Sequence, residues 1–296
     1  MNHLRLLPTR TRLTLTYSAI ATGLLCVATP SARAASVGTP SLGAASPVGR
    51  DTAGDFHWSG HLDPQRWVRV RNLSGWIRVE RSTGADVEVR GHKSWRHGDP
   101  DRVHIIMQRT GPGDGDVLVC AVWGDDTHCD EDSYESHSHH RHHWDDDDDD
   151  VNVEFTVLLP ANIKVLAATV NGSVEVSGAT SEVNASSVNG RVEATSQGGP
   201  VEATSVNGSV EAEMHDVSSA SRLRYSSVNG SVRVTLPASL KADVDFSTVN
   251  GSVNSDFPIS VSGSLEPRHM HGTINGGGVP LRIDTVNGSI EIRKGA

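Results

Sequence analysis

The segment from His137 to Asp150, HSHHRHHWDDDDDD, holds the densest set of side chains that could do chemistry. Five histidines fall within seven residues, and six consecutive aspartates end the segment. Imidazoles bind Zn²⁺, Ni²⁺ or Cu²⁺, and carboxylates bind Ca²⁺. The candidate ligands of a divalent metal are His137, His139, His140, His142, His143, Asp145 and Asp146.

The spacing of this tract argues against a fixed metal site. Such a site presents a few ligands at defined spacing on a rigid frame, and blocks of like charge are usually solvated. Residues 124–150 carry twelve acids and one arginine, while the whole chain has a net charge of −10. We therefore predict a flexible His/Asp-rich loop insertion at 124–150 and no cofactor. A metal-binding loop is the alternative.

Few other residues suggest a reaction. The chain contains no G-x-S-x-G motif, no H-E-x-x-H motif and no isolated Cys/His nucleophile pair. Glu175, Glu193 and Glu211 recur every 18 residues, with Arg233 next in line, and form a monotonous stripe rather than a catalytic pair. We predict a non-enzymatic protein. A basic stripe for nucleic acid is also missing from the sequence.

The N-terminus predicts export. A basic stretch precedes an uncharged segment, and Ala32-Arg33-Ala34 forms an A-x-A cleavage site, which together are typical of a signal peptide over residues 1–34. Residues 35–54 read as a flexible linker. The protein is then periplasmic, cell-surface or secreted, is not an integral membrane protein after cleavage, and meets an unknown envelope or surface ligand. In an oxidising compartment, Cys120 and Cys129 are expected to form a disulfide.

The repeats that follow the His/Asp-rich segment must provide the frame that positions any functional side chains. Residues 170–214 divide into five nonapeptides: VNGSVEVSG, ATSEVNASS, VNGRVEATS, QGGPVEATS and VNGSVEAEM. Position five is always valine and position seven is valine or alanine, with a polar residue between them. Because side chains alternate across a strand, positions five and seven face one side. The sequence predicts an all-β chain.

Two architectures fit this pattern. In a β-solenoid, two nonapeptides make one coil of about 18–22 residues, and equivalent residues stack at about 4.8 Å. The alternative is an antiparallel β-meander or sandwich, since Asn-Gly between alternating strands favours hairpins. We favour a single-domain solenoid over 55–293, because small inward residues need no second layer. Glycine then supplies the corner, and a buried amide ladder is expected at Asn171, Asn189, Asn207, Asn229, Asn250 and Asn287.

The sequence also resembles a known family. The segments WVRVRNLSGWIRVERSTGADVEVRG, TVNGSVEVSG and HGTINGGGVPLRIDTVNGSIEI are similar to the bacterial "putative adhesin" family of β-strand-repeat proteins, a domain of unknown function also grouped with envelope-associated toastrack domains. The resemblance covers residues 55–293. It implies an extracytoplasmic solenoid-like domain at the cell envelope, and it brings no catalytic residues. We expect this domain to have a binding or scaffold role linked to envelope-stress sensing.

Overall fold

The computed structural model describes residues 50–52, 55–96, 99–124, 127–136, 150–261 and 269–295. They all lie in one compact unit, Ala45–Ala296. The predicted signal peptide and the metal ligands of the His/Asp-rich tract fall outside these residues. Arg50–Thr52, placed in the predicted linker, forms a strand that pairs with the next one, so the folded part begins slightly earlier than predicted.

The described residues of the unit form 24 strands and two short 3-10 helices, Pro100–Arg102 and Pro112–Asp114. The first twelve strands are β1 (Arg50–Thr52), β2 (Asp55–Gly60), β3 (Trp67–Ser74), β4 (Ile77–Arg81), β5 (Val87–Ser94), β6 (Val103–Thr110), β7 (Asp116–Trp123), β8 (Thr127–Cys129), β9 (Tyr134–Ser136), β10 (Asn152–Leu159), β11 (Lys164–Asn171) and β12 (Val174–Ala179). The other twelve are β13 (Val183–Asn189), β14 (Val192–Ser196), β15 (Val201–Ser205), β16 (Val210–Met214), β17 (Leu223–Asn229), β18 (Val232–Leu236), β19 (Ala242–Asn250), β20 (Val253–Ser255), β21 (Ile259–Val261), β22 (His269–Ile274), β23 (Val279–Asn287) and β24 (Ile290–Lys294).

Two eleven-stranded sheets face each other across the core. The first sheet has the order β1-β2-β5-β10-β4-β12-β14-β16-β18-β24-β20, and the second has the order β21-β22-β19-β23-β17-β15-β13-β11-β3-β7-β6. Each turn of the chain contributes one strand to each sheet, and we call such a pair a level. Eight levels stack with parallel pairing. The predicted β-solenoid is therefore confirmed.

The nonapeptide period sets the register between levels. Val183 lies opposite Val201, and Val192 lies opposite Val210, so equivalent residues stack 18 positions apart. The valine and alanine side chains at positions five and seven point inward and are fully buried, as at Val183 and Ala185. Because these side chains are small, the two sheets close on each other with no further layer.

Antiparallel strands occur at both ends of the stack, and the meander alternative is correct only there. At one end, β5 and β2 follow β10, and β6 covers β7. At the other end, β22 pairs with β19, and β21 pairs with β22. Solenoids need such caps, because an open parallel edge would present unpaired backbone groups to other chains.

The order of levels departs from the order of the sequence at two places. The level β3/β4 lies between β7/β10 and β11/β12, and the level β23/β24 lies between β17/β18 and β19/β20. Asn287 therefore stacks between Asn229 and Asn250. The repeat does not predict this order, since each Val-Asn-Gly triplet can stack on any other.

The corner after each strand of the second sheet carries the asparagines. The asparagines stack in the order Asn171, Asn189, Asn207, Asn229, Asn287, Asn250, and the side-chain amide of each one after Asn171 donates a hydrogen bond of 2.7–2.8 Å to the side-chain oxygen of the one before it. All six side chains are exposed, so the expectation of a buried ladder is wrong. The inner side of the corner is instead filled by buried hydroxyls, which donate to glycine carbonyls of the adjacent level, as Ser187 does to Gly172 at 2.7 Å.

The corner glycines are required by close approach of the backbones. A Cβ at Gly190 would lie 2.0 Å from the carbonyl oxygen of Gly172, and one at Gly208 would lie 2.1 Å from that of Gly190. No side chain fits at such distances. Neither residue has a left-handed backbone, so spacing rather than backbone conformation fixes the residue type.

Candidate functional site

Trp76 borders two neighbouring depressions on the outer face of the first sheet. It follows the corner at Gly75, so its indole ring is partly exposed next to the buried Ile77. The guanidinium of Arg78 lies over the ring, 4.9 Å from its centroid, and also bonds Glu175 at 3.1 Å. These contacts hold the ring in place and leave it at the boundary of both depressions.

The two depressions are lined by planar polar side chains. The first, about 470 Å³ in volume, is bordered by Trp76, Arg78, Asn152, Glu154, Asn171 and Glu175. The second, about 430 Å³, is bordered by Trp76, Asp55, His57, Arg90, His92 and Glu154. Donors and acceptors of both charge signs therefore surround one aromatic ring.

Ion pairs organise the second depression. Glu88 accepts hydrogen bonds from Arg90 at 2.7 Å and pairs with His57 at 2.7 Å, and these two bonds, that of Arg90 first, lower the pKa of the Glu88 carboxyl. His92 contacts Asp55 at 2.5 Å. The side chains that point into the depression are thereby fixed at its rim.

The predicted glutamate stripe exists but does not stand as an uncompensated column. Glu175, Glu193 and Glu211 stack directly, and Arg233 and Glu291 continue the column. Arginines lie between the carboxylates: Arg191 pairs with Glu211 at 2.7 Å, and Arg233 pairs with Glu291 at 2.8 Å. The mutual repulsion that would call for a bound cation is therefore relieved within the protein.

The two cysteines link a hairpin to the second sheet. Cys120 in β7 is disulfide-bonded to Cys129 in β8. Tyr134 in β9 donates a hydrogen bond to the carbonyl of Ala121 at 2.8 Å, and burial raises the pKa of its phenol. The hairpin occupies part of the connection between β7 and β10, which corresponds to a Val-Asn-Gly corner in six of the other levels. This described part of the predicted insertion at 124–150 is thus held against the second sheet.

One group of side chains in the described part of the chain could hold a metal ion. Asp245, His269 and His271 place ligand atoms within 4.8 Å of one another. His271 lies directly opposite Asp245 in the pairing of β19 with β22. The sequence analysis missed this group. The His-Met-His spacing was the available signal, but the strand that brings Asp245 to it was not predicted.

Comparison with known proteins places the repeats in a family. Residues 160–293 match the family model "Toastrack DUF4097". These residues are similar to that family, and the resemblance stated from the sequence is thereby confirmed. The matched residues contain the asparagine ladder and the group around Asp245, whereas Trp76 and the disulfide precede them.

Two solved structures match the chain over most of its length. One is a "putative cell adhesion protein" from Clostridium sporogenes ATCC 15579, at 12% identity and a TM-score of 0.43, covering 81% of this chain and 99% of that chain. The other is a "putative adhesin" from Bacteroides fragilis NCTC 9343, at 11% identity and a TM-score of 0.30, covering 82% and 98%. No curated protein matches the chain.

Within the described ranges, no helix has the length and apolar character needed to cross a bilayer. The seven metal ligands predicted from the sequence, from His137 to Asp146, lie outside those ranges. The structure therefore brings together the ladder asparagines and the two cysteines, and it adds Trp76 and the group around Asp245.

Proposed function

We propose that the protein is an exported, non-enzymatic scaffold of the cell envelope that binds a neutral saccharide at Trp76. The observation that carries this proposal is the partly exposed indole between two depressions lined by Arg78, Asn152, Glu154 and His57. An aromatic ring offers an apolar surface to the C–H face of a sugar ring, and sugar hydroxyls both donate and accept hydrogen bonds.

The mixed lining favours a neutral ligand over a charged one. Arg78 and Arg90 would attract an anion, but Glu154, Glu175 and Asp55 border the same two depressions and would repel it. Hydroxyl groups use carboxylates and guanidinium groups equally well. A saccharide spanning both depressions would lie across the ring of Trp76.

Export is supported by the signal-peptide pattern of residues 1–34 and by a disulfide between Cys120 and Cys129, which suits an oxidising compartment. The expected location is the periplasm or the cell surface. Envelope-stress sensing remains part of this proposal as a second role of the same scaffold. The alternative role, metal binding by the His/Asp-rich tract at His137–Asp150, rests on its composition.

The test is binding of the full chain to insoluble peptidoglycan and to neutral polysaccharides, followed by calorimetry with soluble oligosaccharides. Trp76→Ala should weaken binding about tenfold or more, which corresponds to about 1.4 kcal/mol. Trp76→Phe keeps a ring and should retain part of the affinity. The matched control is Trp95→Ala, because Trp95 is 46% exposed and borders neither depression. Equal binding by the Trp76→Ala and Trp95→Ala proteins would reject the proposal.

A further inference from the structure

We propose that Oδ1 of Asp245, Nε2 of His269 and Nδ1 of His271 form a binding site for one Zn²⁺ ion, separate from the His/Asp-rich tract. The two histidines are two positions apart on β22 and therefore point to the same face of the sheet. The pairing of β19 with β22 sets His271 opposite Asp245 and His269 opposite Ser247, so both rings lie beside one carboxylate.

The distances within the group are close to those of a metal site. Nε2 of His269 lies 3.7 Å from Oδ1 of Asp245, and Nδ1 of His271 lies 3.6 Å from the same oxygen. Ligands of a tetrahedral Zn²⁺ ion are about 3.3 Å apart, given metal–ligand bonds of about 2.0–2.1 Å. Nε2 of His271 lies 2.6 Å from Nε2 of His269, so the His271 ring has to turn for its Nδ1 to face the ion in place of its Nε2. The histidine side chains are 41% and 61% exposed, which leaves their rings free to rotate.

The carboxylate has an acceptor atom that the protein does not satisfy. Oδ1 of Asp245 is buried and has no hydrogen-bond partner. Arg282 is the neighbour of Asp245 in the register of β19 and β23, but its guanidinium bonds Asp284 at 2.7 and 3.3 Å instead. A buried carboxylate oxygen that accepts no hydrogen bond is costly. A cation held between this oxygen and the two imidazoles would remove that cost.

The chemical nature of the three ligands indicates which metal would bind. Two imidazoles and one carboxylate suit Zn²⁺ and related transition metals, whereas Ca²⁺ and Mg²⁺ prefer oxygen ligands. Three protein ligands would leave a fourth position for water. The ion would join β22, an antiparallel cap strand, to β19, a strand of the outermost level at this end of the second sheet. The site would thus fasten the cap to the solenoid.

The experiment must separate this site from the histidines of the tract. We would prepare the full chain without a polyhistidine tag and replace His137, His139, His140, His142 and His143 by serine. Calorimetry with ZnCl₂ should show one ion per chain in this background, and Co²⁺ should give the visible absorption of a tetrahedral site. Saturation with Zn²⁺ at about 100 times the dissociation constant should raise the Tm by roughly 5–10 °C.

His271→Gln in the same background should weaken Zn²⁺ binding by more than about 100-fold, because loss of a second-shell partner alone costs about 10–100-fold. His269→Gln should do the same. The matched control is His215→Gln, since His215 also contacts a carboxylate, Glu213 at 3.4 Å, but lies outside the group. A background protein that binds no Zn²⁺, or one whose binding survives His271→Gln, would overturn the proposal. The first outcome requires no variant of the group itself, so it does not depend on whether such variants fold.

Discussion

Replacing Gly208 by alanine should destabilise the solenoid by about 3 kcal/mol. The new Cβ would lie 2.1 Å from the carbonyl oxygen of Gly190 and 2.5 Å from its carbon. An unstrained C···O contact is about 3.3 Å or longer, so the two levels would have to separate by about 1.2 Å. Both atoms belong to the backbone of a parallel sheet, which cannot move aside as a flexible side chain would.

The magnitude follows from what that separation disrupts. Overpacking of a rigid interior costs about 1–3 kcal/mol. The hydroxyl of Ser205, which donates to the Gly190 carbonyl at 2.8 Å, would lose its bond, at about 1 kcal/mol. The lower entropy of the unfolded alanine chain offsets about 0.4–1 kcal/mol of this sum. For a unit of this size, about 3 kcal/mol corresponds to a fall in Tm of roughly 6–12 °C.

The measurement is thermal and urea unfolding followed by circular dichroism, with Gly84→Ala as the control. A Cβ at Gly84 would meet its nearest atom, Oγ of Ser82, at 3.6 Å, an ordinary contact. That variant should unfold within about 0.5 kcal/mol of the wild type. If the Gly208→Ala and Gly84→Ala proteins melt together, the glycines are not in register contact and the reasoning about the corner is refuted.

Three further predictions concern the ladder and the hairpin. Asn207→Ala removes two exposed side-chain hydrogen bonds from the middle of the ladder. It should lower the free energy of unfolding measured in urea by about 1 kcal/mol. An unchanged free energy would mean that water fully replaces both hydrogen bonds. Asp130 has a pKa lowered to about 2 from 3.8, chiefly by the backbone N–H of Ser133. Its contribution to the hairpin is therefore complete above pH 3.8 and lost as the pH falls towards about 2, and an NMR titration midpoint near 3.8 would contradict this. Cys129→Ser should lower stability by about 2.5 kcal/mol on the loop-entropy estimate, and unfolding with and without reductant would measure it.

The sequence carries the architecture of the middle of the chain. The 18-residue interval between Asn171, Asn189 and Asn207 fixes the coil length, and the alternation around Val183 and Val192 fixes which side chains face inward. Both signals are local and periodic. Few folds place equivalent residues in equivalent positions every 18 residues, so the repeat predicts that these residues stack.

The remaining features of the fold and of the candidate sites depend on contacts that no local sequence pattern encodes. The position of Asn287 between Asn229 and Asn250 is decided by which strand fills the neighbouring level, and identical triplets do not distinguish the choices. The group around Asp245 arises from an antiparallel pairing across 26 residues of sequence, counted from Asp245 to His271. The exposure of the asparagines follows from the buried hydroxyl column, whose serines and threonines the repeat also contains but whose facing direction it does not specify.

The placement of β23/β24 between β17/β18 and β19/β20 has a consequence for how the protein is made. During synthesis, β19 and β20 leave the ribosome before β23 and β24 exist, so they cannot dock on β17 and β18 with their final neighbours. At about 4.8 Å per strand, the gap left for the missing level is about 9.6 Å wide. Assembly of this end therefore waits for β23 and β24, and a chain interrupted before Val279 would expose the interior of the stack rather than merely shorten it.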